Sequence, residues 1–110
     1  MSAPTFVASA EPGRVVLHGD VDAFDIDDLL VVLAGASDDH RRDLLLDLSE
    51  VTFLPSLVIG ALARARADAT RNGTAVTLLV RERTVPHRVL HVCGIPFETA
   101  TAATTVEGAS

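Results

Sequence analysis

The stretch DLLLDLSEVTFLPSLVIGAL, residues 43–62, contains the strongest structural signal in this chain of 110 residues. An apolar run from Leu44 to Leu48 lies between acidic residues, and apolar and small residues recur at helical spacing after Ser56. This order predicts a buried strand, a short loop and a helix that begins beside a hydroxyl group. A continuous apolar run is typical of a central strand that is covered on both faces. We therefore expect Leu44 to Leu48 in the interior of a sheet.

The segment before this stretch has the pattern of a hairpin followed by a helix. Thr5 to Ala10 predicts an edge strand, residues 11–13 (Glu-Pro-Gly) form a turn signal, and Arg14 to His18 predicts a second strand. Four apolar residues then fall on one face of a predicted helix: Ile26, Leu29, Leu30 and Leu33.

The segment after it continues the alternation of helices and strands. One apolar face is expected for the helix that follows Ser56: Val58, Leu62, Ala65 and Ala69. A strand is predicted at Ala75 to Val80, and Thr84 can cap a third helix. For that helix we expect Val85, Val89 and Val92 on the inner face, with Leu90 and Cys93 alongside. A last strand is predicted at Phe97 to Ala102.

The central stretch resembles the motif of STAS domains, the family of the bacterial anti-sigma factor antagonists. Their pattern is D-L-S-x-V-x-F-h-D-S-x-G, in which h is hydrophobic. The matching residues here are Asp47, Leu48, Ser49, Val51, Phe53 and Ser56. Two positions depart from the pattern, because Pro55 replaces the acid and Val58 replaces the glycine.

The resemblance extends over residues 14–95. Residues 19–22 (Gly-Asp-Val-Asp) are similar to the family's G-E-h-D segment, with Gly19 and Asp22 matching, and residues 89–95 are similar to its late helix. The resemblance implies one α/β domain over residues 1–110, with a four- or five-stranded mixed sheet and three to four helices. Residues 1–4 and 103–110 are expected to be peripheral.

The resemblance also implies a function. Anti-sigma factor antagonists bind an anti-sigma factor, typically a serine kinase, and thereby free a sigma factor for transcription. The residues that the resemblance and the local pattern place at the partner-binding site are Asp22, Pro55, Ser56, Leu57 and Val58. Ser56 is the candidate phospho-acceptor. Phosphorylation would end the interaction.

Three of these residues have simpler alternatives. Ser56 can serve as a helix cap, worth about 1 kcal/mol, and Asp22 as a cap or turn residue. Leu57 falls on the polar face of its helix, where it is either a partner anchor or ordinary surface.

Pro55 offers no carboxylate beside the serine, so phosphorylation is expected to be poor. The alternative function is a STAS protein that acts as a scaffold or sensor without phosphorylation.

Composition excludes several other classes of function. The net charge is −6, all nine basic residues are Arg, and Trp and Tyr are absent, so a nucleic-acid partner is not expected. One cysteine, no signal-peptide pattern and no apolar run of about 20 residues indicate a cytoplasmic protein without a membrane span.

His87 and His91 are four residues apart but lack a third ligand, so no metal or other cofactor is expected. Without a base near Ser56 or a G-x-S-x-G motif, we expect no enzyme, and specifically no hydrolase.

Overall fold

The fold is built around one long central strand in a five-stranded sheet, and the computed structural model describes residues 6–100. The strands are β1 (Phe6–Glu11), β2 (Arg14–Asp20), β3 (Leu44–Phe53), β4 (Val76–Arg81) and β5 (Glu98–Ala100). The helices are α1 (Ile26–Ala36), α2 (Ser56–Arg71) and α3 (Val85–Cys93), and a single 3₁₀ turn (Ala23–Asp25) precedes α1.

The sheet has the strand order β1-β2-β3-β4-β5, so β3 occupies the middle. β1 and β2 form an antiparallel hairpin in which Gly13, at φ 81°, takes the backbone conformation that favours glycine. All remaining neighbours are parallel. The predicted mixed sheet with three to four helices, and the interior position of Leu44 to Leu48, are confirmed. β3 continues to Phe53, however, so Val51 to Phe53 belong to the strand and not to the predicted loop.

All three helices pack on one face of the sheet. The parallel strands succeed one another in one direction, and right-handed crossovers then place every connecting helix on the same side. Leu44, Leu46 and Leu48 point to that side and are buried, whereas Leu45 and Asp47 between them are partly exposed. Within residues 6–100 the helices cover one face only, so the expectation that both faces are covered was wrong there, because a leucine run does not reveal on which side the crossovers lie.

The buried residues of the helices form one core with this face of the sheet. α2 contributes the predicted residues Val58, Leu62, Ala65 and Ala69 together with Ile59. α1 contributes Leu29 and Leu33, with Ile26 packed at the margin.

The inner face predicted for α3 was mostly wrong. Val85, Val92 and Cys93 are exposed and Val89 is partly buried. Leu90 is buried as expected, and Pro86 is buried as well. These two residues are four positions apart, so they share one helix face, and the proline ring serves as an apolar contact in the first turn. The predicted cap is confirmed, since the Thr84 hydroxyl accepts the His87 N–H at 3.3 Å.

Some predicted segments extend beyond the described residues. The first strand begins at Phe6 within them, and Thr5 lies outside. Of the last predicted strand, β5 covers Glu98 to Ala100, while residues 101–110 lie outside. Within residues 6–100, none of the helices has the length and hydropathy needed to cross a membrane.

Candidate protein-interaction site

The carboxyl ends of β2, β3 and β4 meet at one edge of the sheet, because the three strands are parallel. The segments that leave this edge are the β2–α1 loop, the β3–α2 loop and the β4–α3 turn. The β2–α1 loop is joined to the end of β3, since the Val21 N–H donates to the Phe53 carbonyl at 3.2 Å. Ligands of open α/β sheets bind outside the carboxyl ends of the strands, and the motif matches Asp22, Phe53 and Ser56 lie at this edge.

Ser56 is the first residue of α2, and it is exposed. The cap position belongs to Pro55, which has extended backbone geometry at φ −71° and ψ 159°. Its carbonyl accepts the N–H groups of Val58 at 3.0 Å and Ile59 at 3.1 Å. The alternative of Ser56 as a capping side chain was therefore wrong. Within residues 6–100, the Ser56 hydroxyl makes no hydrogen bond and faces solvent.

The first turn of α2 favours a negative group. The N–H groups of Ser56 and Leu57 have no acceptor within the helix, as expected for the start of any helix. The helix dipole adds a partial positive charge at this end, and the first turn contains no acidic residue. A phosphate on Ser56 would thus be stabilised by its own helix while adding a charge of about −1.5 to −2 to the surface.

The other residues predicted for the site divide between surface and core. Leu57 is 67% exposed, as its place on the polar face of the helix predicts. Pro55 is partly buried. Val58 is fully buried, so its side chain belongs to the core and offers no surface to a partner.

Asp22 shapes the β2–α1 loop. It is the cap of the 3₁₀ turn, and its Oδ1 accepts the Phe24 N–H at 2.9 Å, so the capping alternative describes what this side chain does. Gly19, at φ 91°, redirects the end of β2. The Thr52 hydroxyl donates to the carboxylate of Asp20, which ties the end of β2, where the loop begins, to the end of β3.

Three exposed apolar residues at this edge were missed as site residues by the sequence reasoning. Phe24 is 94% exposed, Phe53 is 52% exposed and Val85 is also exposed. Phe53 was noticed only as a motif match and Val85 was placed on an inner helix face. The signal that identifies Phe24 is its position between Asp22 and Asp25, outside the helical apolar pattern that begins at Ile26.

Other polar features lie on β3, β4 and α3. The His87 ring packs edge-on against Phe97 with centroids 5.2 Å apart, and Cys93 is exposed at the far end of α3. Among the described residues, no group of three or more His, Cys, Asp or Glu side chains is arranged to hold a metal ion. Glu50 and Arg81 form an exposed ion pair at 2.9 Å that links β3 to β4.

Comparisons with known proteins agree with this fold and motif. The STAS_2 family model, described as the Mlab STAS domain, matches residues 5–96. A crystal structure assigned as an anti-sigma factor antagonist from Thermotoga maritima superposes with a TM-score of 0.67 at 16% identity, covering 94% of this chain and 92% of that one. A crystal structure of an anti-sigma factor antagonist from Mycobacterium paratuberculosis superposes with a TM-score of 0.66 at 23% identity, covering 98% of this chain and 97% of that one. The two structures share the fold, and the family model covers most of the sequence. The chain belongs to the STAS domain family.

Proposed function

We propose that this protein is an anti-sigma factor antagonist of the cytoplasm. It binds an anti-sigma factor with serine kinase activity through the carboxyl edge of its sheet and so releases the sigma factor that the kinase holds. The protein performs no chemistry itself. It is the substrate of the kinase, and Ser56 is the residue modified.

The observation that carries this proposal is the environment of Ser56. Its hydroxyl is exposed and unbonded within the described part of the chain, and it stands at the first residue of a helix. Exposed Phe53 and Leu57 precede and follow it. A kinase needs an accessible hydroxyl, and a protein partner needs apolar side chains to bury, so one surface meets both needs.

Phosphorylation would act by local electrostatics. The unmodified edge presents apolar side chains next to a neutral hydroxyl, which a partner can cover at little desolvation cost. A phosphate would place a charge of about −1.5 to −2 within that contact. Burying the phosphate without a basic group to pair with it would cost more free energy than the apolar contact contributes, so the complex would dissociate.

Pro55 weakens this control. No carboxylate stands beside the hydroxyl, because the residue before Ser56 is proline and the first turn of α2 lacks acids. A kinase that reads or uses that carboxylate would modify Ser56 slowly. The protein would then remain bound to its partner for longer than a relative with the acid.

The same observation supports a second candidate function. A STAS protein whose serine is never phosphorylated would act as a scaffold or sensor, with the carboxyl edge as a permanent docking surface. The two functions differ in one measurable property, which is whether a kinase partner transfers phosphate to Ser56.

The test uses purified kinase-type anti-sigma factors from the source organism, with and without ATP. Titration calorimetry measures binding of the unmodified protein, and intact-mass spectrometry follows phosphorylation, with Ser56→Ala as the control that cannot be modified. We expect binding with a Kd of about 1 μM or tighter to at least one of them, and slow addition of a single phosphate to the wild type only. Binding without phosphorylation would favour the scaffold function. No binding to any member of the set would overturn the proposal.

A further inference from the structure

We infer that Phe24 is the principal anchor of the partner interface, and that it enters an apolar pocket rimmed by arginine or lysine on the anti-sigma factor. This inference rests on the proposed function and adds to it the chemistry of the partner's surface. It assigns the choice of partner to the β2–α1 loop, and not to the helix that carries Ser56.

The first argument is the exposure of Phe24. At 94% it is the most exposed large apolar side chain among the described residues. The ring contact found within residues 6–100 joins His87 and Phe97, so the Phe24 ring has no aromatic neighbour there. A single exposed leucine or valine is ordinary, but a fully projecting aromatic ring at the edge that holds the motif residues presents most of its apolar area to a partner.

The second argument is that the backbone beneath this ring is held in place. The Phe24 N–H is bonded to the Asp22 carboxylate at 2.9 Å, and the Val21 N–H to the Phe53 carbonyl at 3.2 Å. The Thr52–Asp20 bond adds a side-chain connection between the same two segments. A preformed loop loses little conformational entropy on binding, which is a property of effective anchors.

The third argument is the negative charge of the residues that flank Phe24 in the sequence, which indicates the charge that a complementary partner surface would carry. No Lys or Arg occurs between Arg14 and Arg41. Four carboxylates that are exposed or partly exposed surround Phe24 in the sequence: Asp20, Asp22, Asp27 and Asp28. Facing charges of opposite sign accelerate association and exclude like-charged competitors, so a pocket for Phe24 would have a basic rim.

These arguments together separate two tasks on one edge. Ser56 and Leu57 lie at the start of α2, where a phosphate would be added, whereas Phe24 lies on a different element that the modification leaves chemically unchanged. The loop would therefore select the partner, and the helix start would decide when that partner leaves.

The experiment compares Phe24→Ser with Val92→Ser. Val92 is also highly exposed, at 77%, but it lies near the end of α3, at the opposite edge of the sheet. Each variant is titrated by calorimetry against the purified kinase-type anti-sigma factor that the wild type binds. We expect Phe24→Ser to weaken binding at least tenfold, Val92→Ser to change it less than twofold, and Phe24→Tyr to retain wild-type affinity. The double variant Asp27→Asn with Asp28→Asn should slow association at low salt and flatten its salt dependence.

Thermal unfolding of the two Phe24 variants accompanies the titrations, and it should be unchanged because the Phe24 ring has almost no contact to lose. Wild-type affinity in Phe24→Ser would overturn this inference alone and leave the proposed function standing. An equal loss in Val92→Ser would also overturn it, because the effect would not be local. Failure of the wild type to bind any kinase-type anti-sigma factor would overturn both.

Discussion

The two ends of β3 use apolar residues in opposite ways. At its start, Leu44, Leu46 and Leu48 are buried beneath the helices, and Leu46 has no exposed surface. At its end, Phe53 is half exposed, and Leu57 follows two residues after the connecting loop with 67% exposure. Both ends are comparably apolar in sequence, so apolar character alone does not distinguish a core from a docking surface.

The difference follows from where the helices cross. The connecting helices pack over one face of the sheet and bury the inward-facing side chains of β3 from Leu44 to Val51, while Phe53 at the carboxyl edge stays half exposed. The buried side chains of β3 therefore contribute to folding stability, whereas exposed Phe53 is free to take part in the proposed partner contact. The experiments below either separate these two roles or show that they overlap.

The largest effect is expected at the buried end. Leu46→Ala removes a fully buried side chain at the centre of the core and should lower the free energy of unfolding by about 2–5 kcal/mol. Leu45→Ala on the uncovered face is the matched control and should cost less, about 1–2 kcal/mol, because water already reaches that side chain. Urea denaturation followed by circular dichroism measures both. Equal losses would show that the second face is as well packed as the first.

The next effect is expected at Ser56. Ser56→Asp places a negative charge within the proposed contact and should weaken partner binding about tenfold or more, while Ser56→Ala should bind like the wild type. The charge sits at a helix start, so the thermal stability of Ser56→Asp should not fall. Calorimetric titration against the kinase-type anti-sigma factor measures the affinities. If all three proteins bind equally, Ser56 has no part in the switch.

A smaller effect is expected at Leu57. Leu57→Ser should reduce the binding free energy by about 1 kcal/mol and leave unfolding unchanged, because the side chain is already mostly in water. Val31→Ser, which truncates a 71% exposed residue on α1, is the control and should affect neither quantity. Unaltered affinity of Leu57→Ser for the partner would show that Leu57 is an ordinary surface residue and not an anchor.

The smallest effect is expected at Pro55, and it concerns a rate. Pro55→Asp restores the acid beside the hydroxyl and should raise the rate of Ser56 phosphorylation severalfold. Aspartate at this position can also cap α2, with a gain of about 1 kcal/mol, so Pro55→Asn serves as a control that caps without charge. A phosphorylation time course compares the three proteins. Rapid, complete phosphorylation of the wild type would contradict the proposal that phosphorylation controls partner binding only weakly.

The sequence predicted the elements well because their signals are local. Apolar periods of two and about 3.6, the turn residues 11–13 and the Thr84 cap each depend only on neighbouring residues. The coverage of β3 was not predictable in this way, because the exposure of Leu45 depends on strand order and on the handedness of three crossovers. α3 shows the same limit, since its valines suggested an inner face and Pro86 with Leu90 form it.

The site was predictable in part. The motif located Ser56 and Asp22, and the helical wheel placed Leu57 on the exposed side. The capping role assigned to Ser56 failed because Pro55 occupies the cap position with its backbone alone. Phe24 escaped notice because it belongs to a three-residue turn, which is too short to produce a periodic pattern.

The single helical layer also bears on how this domain can change over evolutionary time. Substitutions on the uncovered face of the sheet alter partly exposed side chains such as Leu45 and Asp47, so each consumes little of a stability margin of about 5–15 kcal/mol. Substitutions on the helical face disturb a close-packed interior, and those at the carboxyl edge would alter the proposed partner contact. The uncovered face is therefore the part of the molecule where sequence drift is tolerated most, and where new contacts can arise without loss of the old ones.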